Sequence, residues 1–434
     1  MLGPGSTKPW GFDPFQPAVQ QHLPLWHKAL RRHSPVYHVA DRDLWFVTSR
    51  RLVVEALDRP SVFSSRFGQP QSSPSHSAAG KVAAIQARGW PRVSTILTED
   101  PPTHNLYRRL VARAFGPTSI RQLEPSIREL SAELVETMVS SPGADFVQEF
   151  AVPLPLRVIA RILGVPHDRL GDLKRWSDEL ALTIGAEVDD QRHVHQAEQV
   201  LEFQRYFANQ LEQRRSAPGR DLLSTLATAR VSVDGANESP VTTAASLSVI
   251  RQLLVAGNET TAKLLSSAVF LLSRHPRHWA WFRADPAGRA GAVVEEALRH
   301  TAPAQAMFRV LTRPATLGGV ELPEGARVVL CYGSANRDDE MFDDPDVFDP
   351  RREHLGDHLA FGHGVHYCLG AVLARTEAST ALQEIARRVE SCMITADNDF
   401  RYNPSFVLRG LNTLRVHFVP DRSPQLNPQA SWPV

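Results

Sequence analysis

Cys368 stands in the run Phe361-Gly362-His363-Gly364-Val365-His366-Tyr367-Cys368-Leu369-Gly370, a glycine-rich loop that leads straight into an amphipathic stretch, Ala371 to Val389. A thiol so placed sits at a helix N-terminus, where unpaired backbone N–H groups and the helix dipole favour the thiolate and lower the cysteine pKa. The position offers the soft anionic ligand that iron accepts. Gly362 and Gly364 let the backbone turn tightly and approach a flat cofactor, and Gly370 does the same just beyond the sulfur. Phe361 can pack beside the sulfur and keep water out, which tunes the potential of a metal held there. The glycines do not make a dinucleotide site, because the third glycine of that fingerprint falls on Tyr367 and no β-branched strand leads in.

With its neighbours at fixed offsets, the pattern Phe-x-x-Gly-x-His-x-Cys-x-Gly resembles the cysteine-ligand loop of the cytochrome P-450 superfamily, the haem-thiolate monooxygenases. The resemblance implies haem b whose iron is bound through Cys368, with Phe361, Gly362 and Gly370 shaping the loop. It also implies a mainly α fold with small β-sheets, the haem buried between a long oxygen-groove helix and the cysteine-loop helix.

Helical periodicity runs roughly from Thr242 to Arg274, about 50 Å at the standard rise. Arg251, Asn258, Glu259 and Lys263 interrupt it and exclude a membrane span. Within it lies Ala256-Gly257-Asn258-Glu259-Thr260-Thr261. The Thr260 hydroxyl can turn back to the Ala256 carbonyl, bending the helix and opening a notch in which Ala256 and Gly257 leave room for a diatomic molecule. The segment is similar to the family's oxygen-binding groove, Ala-Gly-x-(Asp or Glu)-Thr. That likeness makes Glu259 the acid and Thr260 the alcohol that relay protons to dioxygen, and places Ala256 beside the haem.

Two further signatures follow in the family's order. Glu296 and Arg299, three apart on one helical face, resemble its buried Glu-x-x-Arg pair, with Asn336-Arg337-Asp338 and the Asp344-Pro345 turn linking that pair to the cysteine loop. Asp-Pro-Pro-x-His-x-x-x-Arg, ending in His104 and Arg108, is similar to its propionate-binding helix. By the same likeness Arg309 and His366 complete a set of four propionate donors.

The chain has 434 residues, 42% of them hydrophobic, enough for a sizeable core. The resemblance implies one haem domain over 25–420, with a flexible segment over 1–24 and a polar tail over 421–434. Lys+Arg 48 against Asp+Glu 47 points to neither nucleic acid nor an acidic membrane. Cys331, Cys368 and Cys392 are too few for a disulfide framework and form no zinc-type pair, which fits a reducing cytoplasm. The N-terminal stretch has no apolar run for a membrane anchor, as in the soluble bacterial members. Val36–Val39 and Leu44–Val47 read as a hairpin, Ser49 to Leu57 as a helix, and Ser64 to Thr103 as a long functional loop.

No flavin or iron–sulfur motif is present, so electrons are expected from a separate ferredoxin and its reductase, docking on Arg109, Arg113 and Arg375. His363, where a small residue is more usual, bears only on that docking. By resemblance the substrate pocket draws on 64–103, Gln252, Val255, Pro303 to Met307 and Phe406 to Leu408. These are mostly apolar or small, which suggests a hydrophobic terpenoid, steroid or aromatic molecule, with Arg409 the one candidate to hold a carboxylate. Two alternatives stay open: a peroxide-using peroxygenase, and a haem or ligand carrier without turnover.

Overall fold

The computed structural model describes residues 11–67, 74–232 and 238–421. Thr242 starts its longest helix, its side chain accepting from Ala245 N–H at 3.2 Å, and the helix then runs from Thr243 to Arg274. Leu254, Leu265, Ala268 and Val269 are fully buried, as in a helix that is covered on all sides rather than on one stripe. Helices Pro153–Leu163, Leu170–Ala181, Pro286–Thr301 and Ala371–Arg388 pack around it, and Pro117–Val139 lies along the last of these.

The β-branched and aromatic runs build one five-stranded sheet, in the order Val36–Val39, Leu44–Val47, Arg327–Leu330, Met307–Leu311, Phe63–Ser64. The expected hairpin is its edge, Val36 opposite Val47, and Leu44–Val47 runs parallel to Arg327–Leu330. Smaller pairs such as Val389–Ile394 with Val416–Pro420 lie outside that sheet.

Two expectations change. The stretch from Ser64 to Thr103 contains a helix, His76–Gln86, whose alanines favour helix despite the surrounding Pro, Ser and Gly, and which packs on the helix Asp190–Ser216. The expected flexible segment is folded from residue 11 onward. Pro17–Gln21 and Leu23–His33 are helical, and Phe12, Val19 and Leu23 are buried, Phe12 lying 5.0 Å from Phe46 ring to ring. A Pro-rich composition hid three apolar anchors. Residues 1–10 and all of the tail but Asp421 lie outside the described residues.

His27, on Leu23–His33, is buried, and burial followed by the charges of Arg31, Arg409 and Arg337 pushes its pKa down to about 3. The unfolded chain takes that proton near the ordinary value of 6.5, so stability should be full above that pH and drain away as pH falls toward about 3. Urea midpoints measured across this window should fall less steeply for His27→Gln than for the wild type; equal slopes would refute the assignment.

Candidate functional site

Cys368 closes the loop that Phe361 opens. Its N–H donates to the Phe361 carbonyl at 2.9 Å, and Gly362 N–H donates to the Leu359 carbonyl at 2.9 Å. Gly362 and Gly364 have φ of 72° and 70°, a left-handed backbone that requires glycine at this turn. Gly370 precedes the helix Ala371–Arg388 and its N–H donates to the sulfur. The Phe361 ring is buried under the Arg375 guanidinium, 4.5 Å from its centroid.

The thiol departs from the helix-terminus expectation. Burial is the largest influence and pushes its pKa up, and the Gly370 N–H, Arg108 and Arg375 offset only part of that. Cys368 is nevertheless exposed, so the sulfur is open to a bound group. At such a place the charge of a metal, which deprotonates a coordinating thiol outright, decides the thiolate state.

His104, Arg108 and Arg309 all lie within reach of His366. The His104 and His366 rings are 4.4 Å apart, His104 Nδ1 lies 2.9 Å from Asn105 Oδ1, and both Nε2 atoms are buried without a partner. Arg309 is buried, with Nη1 on the Phe308 carbonyl at 2.6 Å and its side chain bonded to the Tyr332 hydroxyl. Burial, then Arg309, His104 and Arg108, push His366 down to about 3. No carboxylate among the described residues closes this set: Asp100 is turned to Ser64 and to Ser65 N–H, and Glu99 pairs with Arg66. Orphaned imidazole nitrogens beside unpaired guanidinium groups fit a flat cofactor carrying two acids, and Cys368 fits a metal within it.

On the long helix, Thr260 Oγ1 donates to the Ala256 carbonyl at 2.7 Å, the geometry expected of the notch. Ala256 is exposed between buried Leu254 and Asn258. Gly257 faces Ile159 instead, where an added methyl would make ordinary contact at 3.4 Å, so the room expected at Ala256 and Gly257 lies at Ala256 alone. Glu259 pairs with Lys263 at 2.6 Å, and both act on Asp178, itself bonded to Lys174 at 2.6 Å.

Three outcomes differ from the sequence. Phe406 and Val407 are core residues, Phe406 packing on Phe15 and Phe308, which leaves Leu408, Ala304 and Met307 as the partly open members of that group. Arg409 does not face a substrate. It donates to the carbonyls of Gln20 and Gln21 at 2.8 and 3.2 Å and lies 3.5 Å from the Tyr402 ring centroid. Glu377, unremarked in sequence, is buried, bonds Thr261 across to the long helix, and has its carboxyl pushed up to about 8 by burial. Its place on one face with Leu373, Thr380 and Ala381 was the available signal.

A family model described as cytochrome P450 matches residues 290–412. Cytochrome P450 107B1 of Saccharopolyspora erythraea is 34% identical over 398 residues, 89% of this chain and 93% of that protein. Cytochrome P450 monooxygenase PikC of Streptomyces venezuelae is 35% identical over 327 residues, 74% and 76% of the two chains. The structure of cytochrome P450 CREJ in complex with (4-ethylphenyl) dihydrogen phosphate matches with a TM-score of 0.85 at 28% identity, covering 95% of this chain and 100% of that one.

Replacing His104, Arg108 and His366 together with Ala should lower haem retained per chain well below that of any single variant, read from Soret absorbance relative to protein. Full occupancy in the triple variant would show that these residues serve something else.

Proposed function

The chain belongs to the cytochrome P450 family, and on that premise we propose that it inserts one oxygen atom of dioxygen into a C–H or C=C bond of a medium-sized, largely hydrophobic molecule. Members of the family hold haem b through a cysteine sulfur on its iron. Bound haem supplies the activation of dioxygen and the oxidising power for the insertion. Cys368 is the residue that would hold the iron, and His104, Arg108, Arg309 and His366 would hold the propionates by charge-assisted bonds worth about 1.5–3 kcal/mol each. The reading is carried by one observation, the convergence of the two orphaned Nε2 atoms and the Arg309 side chain with no carboxylate among the described residues bonded to them.

Ala256 leaves the helix wall low, and Thr260 keeps its hydroxyl anchored on the Ala256 carbonyl, positioned to hand on a proton. Glu259, paired with Lys263 at 2.6 Å and within the field of Asp178, would supply that proton. Electrons would arrive from a ferredoxin and reductase in a cytoplasmic setting. Arg109 and Arg113 are exposed and without ion pairs among the described residues, whereas Arg375 is committed to Glu295 at 2.7 and 2.8 Å and leaves the docking patch. His363 is held by Asp58 at 3.0 Å on the exposed side of the loop. A relative's capture with an aryl phosphate is in keeping with an aromatic substrate skeleton.

The reduced protein with carbon monoxide should show the strongly red-shifted Soret band of thiolate ligation, lost in Cys368→His and kept in Cys331→Ser and Cys392→Ser; an unshifted wild-type band would sink the assignment of Cys368.

Thr260→Ala should leave fold and haem spectrum nearly unchanged, since alanine suits a helix, while more of the NADH consumed appears as hydrogen peroxide and less as product. Glu259→Gln should slow turnover instead, because an amide cannot pass the proton on. Wild-type product per NADH in Thr260→Ala would return Thr260 to a structural role.

A further inference from the structure

A second group of cations remains without a role. Arg251 lies on the long helix shortly before Ala256, on the face that carries Ser248, Gln252 and Val255. Two of those side chains hold the segment that bears Arg92: Ser248 Oγ accepts from Val93 N–H at 3.0 Å, and Gln252 Oε1 accepts from Leu97 N–H at 3.1 Å. Trp90, at the start of that segment, is clamped by Gln204 through both its N–H and its carbonyl, at 3.1 and 2.9 Å. The stitching holds Arg92 within the field of Arg251.

Neither guanidinium makes a hydrogen bond or an ion pair among the described residues, and the segment's own acids, Glu99 and Asp100, are committed to Arg66, Ser64 and Ser65. Arg92 is exposed at the surface and Arg251, on the helix beneath, is half-buried. Burial pushes Arg251 down to about 10, and burial followed by the like charge of Arg251 pushes Arg92 down to about 9. Facing cations without a counter-charge destabilise the free protein, and local conflicts of this kind concentrate at functional positions.

We propose that Arg92 and Arg251 together bind the anionic head of the substrate, a carboxylate or phosphate monoester carried at one end of the hydrophobic molecule. The inference rests on the monooxygenase reading and names its substrate class. Arg251 precedes Ala256 by roughly 7.5 Å along the helix at the standard rise, so oxidation is directed to carbons away from the charged end.

Haem-loaded wild type titrated with sodium dodecanoate, dodecyl phosphate and dodecan-1-ol, by Soret shift and by calorimetry, should bind at least one of the two anions about tenfold or more tightly than the alcohol. The preferred anion identifies the head group. Combining Arg92→Gln with Arg251→Gln should abolish the preference while leaving the alcohol's affinity within about twofold, and Arg251→Lys should keep part of it. The ligand-free Arg251→Gln protein should also melt at a higher temperature than wild type, since it sheds an unpaired charge. Equal affinities in the wild type, a preference that survives the double substitution, or a lower melting temperature would each overturn the proposal. A normal thiolate band in the same samples leaves the monooxygenase reading standing in those cases; its absence fails that reading instead.

Discussion

Arg299 and Glu296 are fully buried and pair twice, Nε to Oε2 at 2.7 Å and Nη2 to Oε1 at 2.8 Å. Removing two ions from water costs several kcal/mol each, and mutual attraction offsets it only where the remaining donors and lone pairs are also satisfied. Arg299 therefore reaches the carbonyls of Asn336, Pro345 and Val347 at 3.0, 2.9 and 3.0 Å, and Glu296 accepts from Asp349 N–H at 2.9 Å. All of these belong to the stretch that precedes the cysteine loop, so the ion pair's demand for partners sets the path of that stretch. Asn336 passes the constraint on: its Oδ1 accepts from Leu359 N–H at 2.6 Å, and the Leu359 carbonyl accepts from Gly362 N–H. The position of the sulfur is thus fixed from outside its own loop. Loss of either ion would strand the other at a cost of about 3–5 kcal/mol.

What could be read in the sequence shares one property: each signal lies within a few residues and carries its own chemistry. The Thr260 to Ala256 bond, the Glu296–Arg299 pair and the cysteine loop are set by local spacing, and the structure places them as that spacing requires. His104 and His366 are distant in sequence, and only the family likeness put them in one set; their rings lie 4.4 Å apart.

What could not be read depends on partners far along the chain. Arg409 resembled a substrate cation until the carbonyls of Gln20 and Gln21 were seen to take it, and Phe406 looked like a pocket wall until Phe15 and Phe308 closed around it. Arg251 registered only as a charge interrupting an apolar run, because nothing local says that Arg92 will be held opposite. The raised Cys368 pKa belongs to the same group, since the dipole that lowers it is local and the burial that outweighs it is not.

The distribution of charge joins these points. About half of the cations among the described residues are in ion pairs, as at Arg128 with Glu384, Arg214 with Asp221 and Arg283 with Asp421. Two groups of cations act on one another with no ion pair among the described residues: the donors around His366, and Arg92 with Arg251. Ala256 and Thr260 follow Arg251 on the same helix. Haem would bring two carboxylates to the first set, and an anionic substrate would bring one charge to the second. The free chain thus carries uncompensated positive charge where the loaded enzyme is balanced, so each ligand stabilises the fold in proportion to its occupancy. It follows that a substitution neutralising either set weakens binding while relieving the free protein, whereas one in the Glu296–Arg299 network harms both together.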